Sequence, residues 1–268
     1  MADVAWNPVG LDVTTPNVAR MYDYFLGGKD NFAADREAAE KILELAPEVP
    51  FVVRENRAFL ARAVRFLAEA GIRQFIDIGT GLPTQSSVHE VARQVAPDAR
   101  VVYVDNDPVV LAHGQALLTG VGNALVVRGD LRDPGAILNA PGIRDFIDFD
   151  QPVAVLLLAI LHFIPDADDP AGVIGRLRES MAPGSYLAMT HVARPDDESE
   201  DVPKVMAVYN ASTAPVAMRE HGEILPFFAG FELVDPGLVH ASAWRPDSGS
   251  PVQDPGLSRA FAGVARRT

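Results

Sequence analysis

Three aspartates stand where a chain could gather carboxylates around one small molecule. Asp77, Asp105 and Asp130 each follow an apolar, β-branched run: QFIDIG, RVVYVDND and ALVVRGD. A carboxylate at a strand end accepts hydrogen bonds from hydroxyl or amino groups and favours a nearby cation. The first run enters a glycine turn, FIDIGTGLPTQSS, where Gly79, Thr80 and Gly81 let the backbone approach a ligand closely. A dinucleotide fingerprint needs a third glycine three residues after the second, and Thr84 stands there with Pro83 before it. The proline fits a first helical turn, which has no intrahelical use for its N–H. A pyrophosphate seeks backbone N–H groups and no nearby anion, so Asp77 argues against one. Asp105, with Asn106 beside it, lies at the distance expected of an acid that binds both ribose hydroxyls, about 20–30 residues after the glycines. Asp130 is placed to accept from an adenine amino group, with Leu131 packing on the ring. For the glycines alone, a plain strand-to-helix turn remains the alternative.

These residues need a frame to hold them. From Gly71 onward, apolar β-rich runs alternate with helical stretches: a helix near residues 84–95, another from Pro108 to Leu118, a short one near Ala136, and one from Pro170 to Met181. Five strands separated by helices imply a parallel sheet covered on both faces, with ligands at the carboxyl strand ends. The end of the chain reads as strands FELV, LVHASAW and RAFAGVAR, the last two split by a turn-rich connection and expected to form an antiparallel hairpin at a sheet edge. Before Gly71 come three helices. The first is capped by Thr15 with Pro16 in its first turn and ends at Gly27 and Gly28; the third ends at Gly71. Helical stretches are also expected near residues 202–211 and 217–228, after a polar loop, ARPDDESEDVP.

Composition sets limits. The chain has 268 residues, no cysteine and a net charge of -13. Disulfides, thiolate metal sites and cysteine nucleophiles are excluded, which suits a reducing cytoplasm. The acidic balance opposes RNA, DNA or an anionic membrane as partner. No secretory signal is visible, and the longest apolar run, VAVLLLAILHFI, is too short to span a bilayer and carries His162; it reads as a buried strand. No metal-ligand signature is present.

The motif D-I-G-T-G-L-P resembles the first motif of the class I S-adenosylmethionine (SAM) methyltransferases, with Pro83 in place of the last glycine. A SAM ammonium is a group that Asp77 would hold. The resemblance implies a Rossmann-like α/β fold: a seven-stranded, mostly parallel sheet with helices on both faces and the last strand inserted antiparallel. AILHFIPD, containing Ala159, is similar to the segment that follows the fourth strand there and lines the cofactor. The N-terminal stretches TPNVARMYDYFLGGKDNFAADREAA and RENRAFLARAVRFLAEAGIRQFIDIGTGLPT, with AVYNAST and FFAGFELVDPGLV, resemble an actinomycete family of SAM methyltransferases long known only as a domain of unknown function. This implies a helical cap over residues 1–70, a SAM-binding domain over 71–268, and a methyl acceptor the family does not identify.

Methyl transfer needs alignment and sometimes a base, but no covalent nucleophile or metal. Arg20, Arg54 and Arg57 are the cationic candidates for the SAM carboxylate, with Arg54 carried forward. YDYFLGGKDNF offers a lid whose Tyr22, Tyr24, Lys29, Asp30 and Asn31 would meet the acceptor; Tyr22 and Asp30 are carried forward as catalytic candidates. His162 is the candidate general base, ahead of His191 and Tyr209. The expected function is methyl transfer to a small molecule, set in secondary metabolism by the actinomycete resemblance. A non-catalytic SAM-binding module is the alternative, and a nucleotide-dependent oxidoreductase is disfavoured by Thr84 and Asp77.

Overall fold

The structure, a computed structural model, describes residues 12–82, 87–118, 120–195, 200–247 and 259–268. Pro83 and Thr84 of the glycine turn, most of the loop after Arg194 and most of the connection after Trp244 lie outside the described residues.

Five parallel strands form the frame: β1 (Gln74–Ile78), β2 (Arg100–Asp105), β3 (Ala124–Arg128), β4 (Ala154–Leu157) and β5 (Tyr186–Val192). They are followed by β6 (Glu232–Leu233), β7 (Val239–His240) and β8 (Ala260–Arg266). The order is β3-β2-β1-β4-β5-β8-β6, with β8 antiparallel to β5. Order reverses beside β1, so the carboxyl ends of β1 and β4 flank the switch point. β1 and β4 are buried along their whole length, which is why they read as continuous apolar runs rather than alternating ones. The long apolar run from Val153 supplies β4 and then a 3-10 turn, Leu161–Phe163.

The C-terminal edge is more divided than the sequence implies. The sheet has eight strands instead of seven, because the edge strand is broken in two. β6 and β7 pair with the same edge of β8, at Leu233↔Ala265 and Val239↔Ala262, and the chain between them turns through Pro236 and Gly237. β7 and β8 form the expected antiparallel pair at the sheet edge, with β7 outermost and β8 between it and β5.

Three helices precede the sheet: α1 (Val18–Phe25), α2 (Ala33–Leu45) and α3 (Val49–Glu69). Asn17, not Thr15, caps α1: its side chain accepts from the N–H groups of Ala19 and Arg20. Its own N–H donates to Asp35 on α2 at 2.8 Å, so the cap and the α1–α2 contact are one device. Met21, Phe25, Ala39, Ile42 and Val53 form a small core of their own. From Phe59 onward, α3 turns its apolar stripe (Phe59, Ala63, Leu67) to the sheet, against Phe75, Val101 and Trp244. α3 thus spans both cores. Gly71 closes it with φ +96°, the left-handed conformation of a helix stop.

The remaining helices are α4 (Val88–Val95), α5 (Pro108–Leu118), α6 (Pro134–Leu138), α7 (Pro141–Phe146), α8 (Pro170–Glu179), α9 (Asp201–Asn210) and α10 (His221–Ile224). The candidate over 217–228 is shorter than expected: Pro226 follows α10 and the chain tightens into a 3-10 turn, Leu225–Phe228. Among the described residues no helix is long and apolar enough to cross a membrane.

Candidate functional site

The parallel register brings the carboxyl ends of β1, β2, β3 and β4 to one side, and a cavity of about 320 Å³ lies over them. Asp77, Gly79, Thr80, Gly81, Asp105, Asn106, Asp130, Leu131 and Ala159 all line it. The cap closes it with Asn17, Tyr22 and Asp23 from the α1 segment and Asn56 and Arg57 from α3. Thr213 to Pro215 close another side; Thr213 donates its N–H to the Pro16 carbonyl at 3.0 Å.

The turn after β1 is wired to β2. The N–H groups of Gly79 and Thr80 both donate to the Val104 carbonyl, at 2.8 and 3.2 Å. Gly81 donates to the Asp105 carboxylate at 2.9 Å. Gly79 has φ +75° and Gly81 φ +66°, a region that disfavours any side chain, and a Cβ on Gly79 would also collide with Ile160 at 2.6 Å. The turn's amides are thus committed to the protein, and no anion cradle is left between residues 79 and 81. The charge balance agrees. Asp23, Asp77, Asp105, Asp107, Asp130 and Asp168 line the cavity against two arginines, Arg57 and Arg132. Such walls favour a cationic ligand and repel a pyrophosphate.

Each carboxylate has its own environment. Asp77 is buried, and desolvation pushes its pKa up to about 6; the Thr80 hydroxyl, at 3.0 Å, and the charge of Arg57 pull the other way. Asp105 is raised by burial despite accepting from Gly81 and Asp107. Two accepted bonds leave lone pairs of the Asp105 carboxylate for a ligand's hydroxyls. Asp130 is lowered to about 2, chiefly by its hydrogen bonds with Arg132. Asp107 caps α5, accepting from Val109 at 2.6 Å.

A second cavity, about 210 Å³, lies beneath α1, α2 and α9 and against the end of β5. Val18, Tyr22, Asn56, Ala159 and Phe163 line both. A hydrogen-bond chain crosses this junction. The Ala159 N–H donates to the Thr190 hydroxyl at 2.7 Å, and that hydroxyl donates to Asn56 Oδ1 at 2.7 Å. Asn56 Nδ2 donates to the Tyr22 hydroxyl at 2.8 Å, which donates to the Val53 carbonyl at 3.1 Å. One chain therefore ties β4, β5, α3 and α1 together. Ala159 holds φ +54°, a conformation that costs a non-glycine residue about 1–2 kcal/mol and recurs where structure is built for a site.

Several expected residues stand elsewhere. Arg54 is exposed and lines neither cavity; Arg57, one turn later on α3, lines the first. Arg20 is buried beside Asp35 and donates to the carbonyls of Asp12 and Thr15, which makes it part of the cap's frame. Asp30 is exposed near His113, 3.7 Å away, and lines neither cavity. Tyr24 donates to Glu40, and Asn31 donates to Asp23. Of the five lid candidates, only Tyr22 reaches the cavities. His162 lines the second cavity only. Burial holds its pKa well below the usual histidine value, and its Nδ1 accepts from the Val192 N–H at 3.4 Å. His191 is bonded on both ring nitrogens, to the Val192 carbonyl and to Arg219. The residues that sequence reasoning missed are Asp23, Asn56, Phe163 and Thr190. Asn56 alone left a trace, as a polar residue at the helical spacing of Val53 and Leu60.

The S-adenosyl methyltransferase family matches residues 4–268. No curated protein matches the chain. A provisionally assigned methyltransferase from Thermobifida fusca is 45% identical over 98% of this chain and 99% of its own, with a TM-score of 0.90. A DUF574 family protein from Streptomyces avermitilis is 44% identical over 96% of this chain and 99% of its own, also at 0.90. At 19% identity the mitomycin 7-O-methyltransferase MmcR shares the fold, with a TM-score of 0.51 over 96% of this chain and 74% of its own. SAM is the family's cofactor, and the acidic walls and committed amides of the first cavity fit a ligand that is cationic at sulfur and at its amino group. The chain belongs to the S-adenosyl methyltransferase family.

Proposed function

We propose that the protein catalyses methyl transfer from SAM to a small molecule. The observation that carries this reading is the meeting of two unlike cavities, one acidic and one apolar, at Tyr22, Asn56, Ala159 and Phe163. A non-catalytic binding module has no need of the second cavity. In the proposed assignment, Asp105 accepts from the ribose hydroxyls, and Asp130, Asn106 and Leu131 meet the adenine. Asp77 holds the ammonium and Arg57, in place of Arg54, the carboxylate. Bound SAM would supply an electrophilic methyl group for an acceptor lone pair, with S-adenosylhomocysteine as the leaving group and the acceptor's proton released to water as the product departs.

The chain's own part is alignment. The buried hydrogen-bond chain through Asn56 fixes the junction, and the cap excludes water from it. Tyr22 has its hydroxyl proton committed to Val53, and burial raises its pKa, so it shapes the junction and takes no proton. His162 is held neutral, with Nδ1 accepting from Val192 and the proton therefore on Nε2. In this reading it orients the acceptor as a donor and is not the base.

Calorimetry with SAM, S-adenosylhomocysteine and NAD tests the cofactor half. The two sulfur ligands bind in the micromolar range and NAD does not. Turnover is then read as S-adenosylhomocysteine formed on adding neutral hydroxy- and amino-arenes. Cofactor binding with no formation above the acceptor-free rate would return the protein to the binding-module reading.

A further inference from the structure

We infer that the second cavity is the acceptor site and that its occupant is a neutral, flat ring compound, held through Tyr209 and His162. The inference rests on the methyl-transfer reading above and adds the acceptor's chemical class.

Size comes first. A dry cavity of about 150 Å³ holds benzene, so the 210 Å³ here accommodates on the order of eight to ten heavy atoms. Chemistry comes next. The walls are built largely from aliphatic side chains, among them Ile42, Val49, Val53, Val205 and Val216. Three charged side chains line it, and all are paired. Glu48 bonds Arg259 at 2.8 Å, and Asp201 bonds Lys204 at 2.6 Å. Both pairs retain exposure, the Asp201 carboxylate side chain at 44%. His162 and His191, the titratable rings inside, are both held neutral at pH 7, His191 with a pKa lowered to about 4 by burial. An ionised acceptor would lose its hydration here and gain no counter-ion.

Shape and anchoring narrow the class. The rings of His162 and Phe163 lie 4.4 Å apart between centroids, and Tyr209 continues the group 5.8 Å from Phe163. A wall of three rings favours a planar partner, by offset or edge-on contact. The Tyr209 hydroxyl has no hydrogen-bond partner among the described residues. Tyr209 is half-buried and lines the cavity, so a ligand heteroatom bound there would give this hydroxyl a partner. His162 supplies a second donor at Nε2. Phe163 lines both cavities, so a ring stacked there lies next to the junction where the methyl must cross.

The test uses the full chain loaded with S-adenosylhomocysteine and four probes, 4-methylphenol, indole, 4-methylbenzoate and benzylammonium, with toluene as the control that lacks a hydroxyl. Saturation-transfer NMR and fluorescence titration are expected to show 4-methylphenol and indole binding at least tenfold more tightly than the two ions. Val205→Trp, which fills the cavity, should abolish binding of the neutral probes while S-adenosylhomocysteine still binds. Tyr209→Phe, which preserves volume and fold, should weaken 4-methylphenol about fivefold and leave toluene unchanged. Equal or tighter binding of either ion overturns the inference, as does neutral-probe binding that survives both substitutions. So does a protein that binds S-adenosylhomocysteine and neither neutral probe. If S-adenosylhomocysteine itself fails to bind, the methyl-transfer reading falls, and the neutral probes titrated without it still decide the cavity.

Discussion

The two cavities that meet at Tyr22 and Asn56 are made of different material. The first is floored by strand ends, and its functional groups are carboxylates fixed by backbone N–H groups of neighbouring strands. The second is walled by helices from opposite ends of the chain, and its polar groups are few and uncharged or paired. Parallel pairing sets the floor of the first to within a hydrogen bond, whatever the helices do. The second depends on how α1, α2 and α9 pack, and that can change by side-chain substitution without touching the sheet. On the proposed reading, cofactor binding is set by the frame and acceptor choice by the cap.

The largest expected effect lies on the sheet side. Asp105→Ala removes a buried acceptor and also frees the N–H groups of Gly81 and Asp107. Bonds to a charged group contribute about 1.5–3 kcal/mol each, so SAM affinity should fall at least about a hundredfold by calorimetry, with Asp105→Asn intermediate. If binding stays within a few-fold of wild type, the strand-end site is misassigned. Next comes the junction. Asn56→Ala strands the Thr190 hydroxyl proton and removes the bond that the Tyr22 hydroxyl accepts, costs about 3 kcal/mol, and should lower Tm by roughly 5–10 °C. A shift under 2 °C, as an order-of-magnitude bound on that cost, would mean the chain through Asn56 does not bind cap to sheet.

The Asp77 carboxyl offers a graded test. Its pKa in the ligand-free protein is about 6, above the ordinary 3.8, so ionisation is unfavourable in the folded state. On account of this group, the folded protein loses stability as pH rises through that window. A cationic ligand favours the ionised form and lowers the pKa when bound. SAM affinity should be flat above pH 6 and weaken by up to about tenfold per unit below it. Asp77→Asn should flatten the profile between pH 5 and 7. A profile unchanged by that substitution would place the titrating group elsewhere.

The sheet and its ligand end were legible because the evidence was local. Asp77, Asp105 and Asp130 each end an apolar run, and parallel pairing gathers such ends without further information. The second cavity was not legible, since no single stretch encodes it: Asn56, Phe163, Thr190 and Tyr209 converge from four elements. YDYFLGGKDNF misled for a related reason. Its polar residues look available in sequence, but Asp30 and Asn31 are folded back on Asp23, which accepts from both and lines the first cavity itself. The Thr15 cap failed because Asn17, closer to the helix, accepts the same kind of N–H bonds and donates to Asp35.

The smallest effect separates two arginines that a helical wheel leaves together. Arg54 and Arg57 are three residues apart on α3 and share a broad face. The buried stripe of that helix runs through Val53, Asn56 and Leu60, and Asn56 and Leu60 line the first cavity. Arg57 sits between those two, so its guanidinium is carried toward Asp77, where its charge is felt. Arg54 is one turn earlier and in solvent. If Arg57 holds the SAM carboxylate, Arg57→Ala removes one charge-assisted contact, about 1.5 kcal/mol or roughly tenfold in affinity. It should also raise the Asp77 pKa further by removing a favourable charge, which moves the onset of the pH effect upward. Arg54→Ala should change affinity by less than about twofold, as an exposed charge that lines neither cavity does. Equal losses from the two substitutions would show a diffuse field from α3 in place of a contact, and a loss at Arg54 alone would move the cap relative to the sheet.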